Sequence, residues 1–188
     1  MRYLIVCGGK IDKEFGLNEI KTDGIDAIIA ADSGMDFLYE NGVTPDIIVG
    51  DFDSTTTNAL EYFERKGQTE IRRLNPIKDD TDTEYAIRLA ISEGARSIVL
   101  LGATGSRIDH VLGNISLLGI GLESGTDISI IDTNNRIRMA DKPVTIEKSA
   151  QYGRFVSLIA LTDDNEVSLK GFKYPVTDYS FDRFTSLG

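Results

Sequence analysis

Five apolar runs, each closing on a cluster of Gly, Asp or Ser and alternating with helical patterns, dominate the first two thirds of the chain. They are residues 3–7, 26–31, 46–50, 70–74 and 97–101, most of them continuous Ile, Val, Leu or Ala. An unbroken apolar run suits a strand covered on both faces, and the intervening helices supply that cover. The pattern therefore predicts βα repeats around a parallel sheet. Helical periods fall at 33–41, 57–66, 82–93 and 109–123. Gly42, Gly67 and Gly94 stand just past three of them, where a left-handed residue commonly ends a helix. Thr81 and Glu84 have the capping-box spacing.

After about Gly125 the helical period stops. Short strand-like segments at 127–132, 136–140, 144–148, 154–161 and 166–172 follow, separated by turn signals such as Asn134-Asn135 and Asp163-Asp164-Asn165. Two units are expected, an α/β unit at 1–125 and an all-β unit at 126–188, with no obvious closing strand at the end.

Composition narrows the chemistry. The chain carries 20 Lys and Arg against 30 Asp and Glu, a net charge of −10. Nucleic acid needs a cationic surface to neutralise phosphates, so it is not expected as the main partner. The acidity suits plain solubility as well as a cationic small substrate. One Cys and one His exclude an internal disulfide, a thiolate zinc site and a His-rich centre, so any metal is held by oxygen. No apolar run approaches the roughly 18 to 20 residues of a membrane span, and residues 1–9 lack a cleavage pattern. A cytoplasmic protein with no membrane partner is expected.

In an open parallel sheet, ligands bind beyond the carboxyl ends of the strands. Here Ala31 is followed by Asp32-Ser33-Gly34, and Val49 by Gly50-Asp51-Phe52-Asp53-Ser54-Thr55. Leu74 leads to Lys78-Asp79-Asp80-Thr81-Asp82, and Leu101 to Gly102-Ala103-Thr104-Gly105-Ser106-Arg107-Ile108-Asp109-His110. Four successive strand ends thus deliver carboxylates to one edge. Asp51 and Asp53, two apart on an extended segment, can share a hard cation, and Asp82 can add a third oxygen; Mg²⁺ typically takes one or two carboxylates, keeps several waters and fills the remainder with substrate phosphates. Helix capping accounts for one acid per helix. It leaves unexplained the crowding of Asp51, Asp53, Asp79 and Asp82, whose repulsion a cation would offset. The glycines of the 102–107 turn let backbone approach a phosphate, with Arg107 as a bidentate fork, or serve a plain strand-to-helix turn. His110 and Asn114 are one helical turn apart and can share a face near that turn. Cys7 reads as core.

Together, the four motifs at 31–34, 45–54, 78–84 and 102–110, in this order and spacing, resemble the thiamine pyrophosphokinases over essentially the whole chain. The resemblance implies an α/β parallel-sheet nucleotide-binding domain followed by an all-β sandwich domain for thiamine binding and dimerisation, in a homodimer with shared active sites. It also implies Mg²⁺-dependent transfer of diphosphate from ATP to the hydroxyl of thiamine, releasing AMP. Carried over by motif, Asp51, Asp53 and Asp82 are the implied metal ligands and, with Arg107 and Asp109, the catalytic set. The implied positions on the ATP side are Asp32, Lys78, Asp79, Thr81, Gly102, Thr104, Gly105, Arg107, His110 and Asn114. The family segment that begins like Ser186-Leu187-Gly188 continues further, which implies a shortened C-terminus here.

Two rivals stand beside this reading. Asp51-Phe52-Asp53-Ser54-Thr55 also fits the haloacid dehalogenase-like phosphatases, with Asp51 as covalent nucleophile, although that motif normally follows the first strand. A non-catalytic nucleotide- or thiamine-binding module is the other.

Overall fold

The computed structural model describes residues 1–52, 58–75, 80–105 and 107–187. The chain divides into two compact units, Met1–Thr145 and Ile146–Gly188.

The first unit runs β1 (Arg2–Val6), α1 (Lys13–Ile20), β2 (Ala27–Ala31), α2 (Gly34–Glu40), β3 (Ile47–Gly50), α3 (Ala59–Lys66), β4 (Glu70–Arg73), α4 (Asp82–Ser92), β5 (Ser97–Leu101), α5 (Ile108–Ser124), β6 (Asp127–Ile131) and β7 (Arg136–Arg138). Its strands form one sheet in the order β4-β3-β2-β1-β5-β6-β7. Neighbours are parallel except the β6–β7 pair. The chain lays strands outward from β1 to one side, then returns beside β1 with β5 and continues to the other. The order therefore reverses between β1 and β5, which is where an open α/β sheet leaves a crevice.

Because successive side chains point to opposite faces, the central strands feed two cores. Tyr3, Ile5, Ile29, Val49, Ile98, Leu100 and Ile130 face α4 and α5, meeting Ala86, Ile87, Ala90 and Leu118. Leu4, Val6, Ala30, Ile48, Val99 and Leu101 face α2 and α3, meeting Met35, Leu38, Ala59 and Phe63. Gly67 ends α3 at φ +63° and its amide bonds the Phe63 carbonyl, while Gly42 and Gly94 also take positive φ after α2 and α4. Thr81 caps α4 by accepting from the Glu84 amide at 3.1 Å. Only half of the expected capping box forms, since the Glu84 side chain accepts from Arg88 instead.

The structure corrects the sequence reading at two points in this unit. Helix α1 was not expected, because Gly16 interrupts a weak pattern; that glycine is where Ile11 and Phe37 close in, at 2.6 and 2.7 Å from an ideal Cβ. Tertiary packing makes this helix, not propensity. The expected division at 125/126 also shifts to 145/146. β6 pairs in parallel with β5 along its whole length, and β7 turns back on β6 to finish the sheet.

The second unit is a small antiparallel β domain, so the fold class is α/β followed by β. It contains one 3₁₀ turn (Lys148–Ala150), β8 (Leu158–Ile159), β9 (Asn165–Leu169), β10 (Val176–Phe181) and β11 (Ser186–Leu187). β9 pairs with β10, and β8 with β11, both antiparallel. The expected strand at 144–148 is absent, that at 154–161 shrinks to β8, and β10 and β11 are additions. β10 escaped notice because its register shifts between Val176 and Tyr179, with Asp178 left-handed at φ +48°, which breaks the alternation.

Candidate active site

Asp32 directly follows β2; its amide continues the ladder to the Val49 carbonyl at 2.8 Å, while its φ of +48° turns the chain sharply into α2. Aspartate tolerates this left-handed region better than most residues. Asp51 directly follows β3, and Phe52 after it is left-handed as well, at φ +63°. The Phe52 ring lies over Gly50, 3.0 Å from where a Cβ would stand, with the Arg73 guanidinium 5.4 Å from its centroid. Asp82 opens the first turn of α4. These three elements bring one carboxylate oxygen each from Asp32, Asp51 and Asp82 within 4.8 Å of one another, all half-buried. Three hard oxygen donors at that spacing fit a divalent cation such as Mg²⁺.

Next to this cluster lies a crevice of about 790 Å³ at the β1/β5 reversal, lined by Gly8, Gly9 and Lys10 after β1, by Gly102, Thr104 and Gly105 after β5, and by Asp132, Thr133 and Asn134 after β6. Its volume is typical of small-molecule sites. The floor is bare backbone. The Gly9 amide donates to the Gly102 carbonyl at 2.9 Å, and a Cβ on Gly9 would sit 2.3 Å from that oxygen. A Cβ on Gly102, at φ +68°, would sit 2.5 Å from the Cys7 carbonyl oxygen. Ile11, Phe15 and Ile131 give an apolar wall. Two contacts join crevice and cluster: Ser33, beside Asp32, lies against Gly8, and Thr83, beside Asp82, donates to the Cys7 sulfur at 3.7 Å. Burial pushes that thiol up to about 11, so Cys7 is core as expected.

The turn at 102–105 is braced from several sides. Asn114 Nδ2 donates to the Ala103 carbonyl at 2.7 Å, and the Thr104 hydroxyl donates to Asp132 Oδ2 at 3.0 Å. Burial alone would raise the Asp132 carboxyl, but donors from Asn134, Asn135 and Thr104 outweigh it and hold it below its usual value. At the start of α5, Arg107 grips Asp109 with two bonds, at 2.6 and 3.3 Å. The guanidinium holds the Asp109 carboxyl below its usual value, and the carboxylate raises Arg107 in turn.

Of the expected site residues, the structure groups Asp51 with Asp82 and adds Asp32, which the sequence reading placed on the nucleotide side. Gly102, Thr104 and Gly105 line the crevice, and Asn114 braces it from behind. Thr81 is committed as a helix cap. Arg107, Asp109 and His110 are exposed on the first turn of α5 and its approach, and none of them lines the crevice. Asp53, Lys78 and Asp79 lie outside the described residues. Sequence reasoning missed Gly8, Gly9, Lys10, Asp132 and Thr133, and took Asn134 for a hairpin turn alone. The signal available was position: these residues follow the strands on either side of the reversal.

Comparison with known proteins places these features in company. Residues 21–130 match the family model described as thiamin pyrophosphokinase, catalytic domain, and residues 143–188 match thiamin pyrophosphokinase, vitamin B1 binding domain. Thiamine pyrophosphokinase of Bacillus subtilis (strain 168) is 36% identical over 152 residues, covering 80% of this chain and 70% of that protein. Among solved structures, thiamine pyrophosphokinase from Bacillus subtilis superposes with a TM-score of 0.83 at 29% identity, covering 98% of this chain and 86% of the other. The enzyme from Geobacillus thermodenitrificans gives 0.80 at 29% identity, covering 98% and 84%.

Proposed function

The chain belongs to the thiamine pyrophosphokinase family, and on that premise we propose that its acidic cluster and its glycine-floored crevice divide one reaction between them: transfer of diphosphate from ATP to the hydroxyl of thiamine. The observation that carries this reading is the convergence of Asp32, Asp51 and Asp82 from three separate elements beside the crevice at the sheet's reversal.

In the reaction, the thiamine hydroxyl oxygen forms a bond to the β-phosphorus, the bond from that phosphorus to the α,β-bridging oxygen breaks, and AMP departs. The crevice holds the nucleotide, because glycine backbone at Gly8, Gly9 and Gly102 admits close approach and Ile11 and Phe15 offer an apolar surface. Lys10 and Arg107 supply cationic groups for the polyphosphate, with Arg107 exchanging its Asp109 partner for phosphate oxygens. Asp32, Asp51 and Asp82 are the residues that would hold Mg²⁺, with Asp53 as the sequence-derived addition; the ion, when bound, neutralises polyphosphate charge and fixes its orientation. The hydroxyl proton passes to a carboxylate of this acidic edge.

The same reading includes a homodimer and a cytoplasmic location. In the second unit Phe155 is 81% and Phe184 89% exposed, apolar surface that a second copy would cover. No helix among the described residues is long and apolar enough to cross a membrane. The phosphatase alternative is not favoured: Asp51 follows the third strand, and the family match lies elsewhere.

Incubation with ATP, Mg²⁺ and thiamine tests the reading, with AMP and thiamine diphosphate as the expected products. Thiamine-independent phosphate release with a trapped aspartyl-phosphate would overturn it in favour of the phosphatase. Binding without turnover would reduce the chain to a binding module.

A further inference from the structure

We propose that Asp132, just past β6, is a positioning residue for the nucleotide: it holds the 102–105 turn in its binding shape through the Thr104 hydroxyl. This rests on reading the crevice as the nucleotide site.

The Asp132 carboxylate is shared between two loops. Oδ1 accepts from the Asn134 and Asn135 amides, both at 2.8 Å, and from Asn135 Nδ2 at 3.0 Å. The Asp132 amide itself donates to the Asn135 carbonyl at 3.0 Å. Those bonds are enough to shape the β6–β7 turn. Oδ2 also accepts from Asn135 Nδ2, at 3.1 Å, but its bond from Thr104, at 3.0 Å, crosses to the loop after β5. A hydroxyl has one proton to give, and Thr104 gives it to this carboxylate. Three consecutive residues of the turn are thereby pinned by three elements: Gly102 by the loop after β1, Ala103 by α5 and Thr104 by the loop after β6.

Glycine at both ends gives this turn more freedom to lose than an ordinary one. Ordered in advance, it adds no such cost when the ligand arrives. The bond to a carboxylate is also the strongest type available to a threonine hydroxyl. Asp132 therefore acts on the ligand through Thr104, and breaking their bond weakens nucleotide binding more than it slows chemistry.

Initial-rate kinetics on the full chain test this with wild type, Thr104→Val, Thr104→Ser, Asp132→Asn and the Thr104→Val/Asp132→Asn double variant. The expected result is a KM for ATP raised about tenfold in Thr104→Val and in Asp132→Asn, the worth of one charge-assisted bond. The double variant should rise no further, Thr104→Ser should stay near wild type, and KM for thiamine should not move. Additive rises in the double variant would overturn the proposal, because the two side chains would then contact ligand separately. So would an unchanged KM for ATP in Thr104→Val, or a Ser variant as impaired as Val. If Asp132→Asn fails to fold by circular dichroism, the near-isosteric Val and Ser pair decides alone. Absence of thiamine-dependent AMP formation by the wild type overturns the functional reading and this proposal together, whereas wild-type turnover with additive variants overturns the proposal only.

Discussion

The two units of this chain hold themselves together in opposite ways. In Met1–Thr145 the residues of β1 from Tyr3 to Val6 are at most 2% exposed and helices cover both sheet faces. In Ile146–Gly188 only Ala160 among the described apolar side chains is buried. What order the second unit has comes from short ladders and exposed pairs such as Arg183 with Asp163 and Ser168 with Asp178. Exposed ion pairs contribute roughly 0–1 kcal/mol each, and a unit of this size is marginal without further cover. The difference explains where the charges sit. Holding three carboxylates close together needs a scaffold whose own core opposes their repulsion, and only the first unit has one.

The contrast can be broken most directly at its cores. Phe63→Ala, on the packed face of α3, is expected to cost about 3–5 kcal/mol in urea unfolding, whereas Phe184→Ala should change unfolding of the monomer by no more than about 0.5 kcal/mol while weakening self-association in sedimentation. Equal losses would mean that the second unit has a core of its own. Asp51→Asn or Asp32→Asn should lower kcat about 10²–10³-fold, with a melting temperature unchanged or raised because like charges are relieved. Wild-type turnover by both variants at limiting Mg²⁺ would remove the acidic edge from the chemistry. A smaller effect is expected for Gly9→Ala, whose Cβ would strike the Gly102 and Thr104 carbonyls at 2.3 and 2.5 Å. KM for ATP should rise on the order of tenfold, as for loss of one strong ligand contact, with kcat nearly kept. The slightest is an acid effect. Asp132 has a depressed carboxyl in the folded state, so its stabilisation is complete above the ordinary value of about 3.9 and fades as pH falls through the lower folded value. The melting temperature of Asp132→Asn should therefore fall less steeply with pH below about 4 than that of the wild type.

Legibility in the sequence followed the same divide. The βα order, the glycines ending three helices and the acidic strand ends were all readable, because each is a local signal repeated along the chain. The grouping of Asp32 with Asp51 and Asp82 was not, since it depends on a left-handed residue at 32 and on which strands become neighbours. Gly8 and Gly9 gave only a turn signal; their importance comes from β1 lying at the reversal, a property of the whole sheet. β6 reads locally as the start of the second unit, because nothing local distinguishes a last parallel strand from a first antiparallel one. In the second unit β10 was hidden by its bulge at Asp178.

The meeting of Gly9 with Gly102, main chain against main chain across more than ninety residues of sequence, leaves the base of the crevice, the proposed nucleotide site, with no side chain to exchange. Selectivity can be re-engineered only from the rim and walls, at positions such as Lys10, Ile11, Phe15 and Asn134. A library built to alter which nucleotide this enzyme accepts should vary those four and leave the base alone.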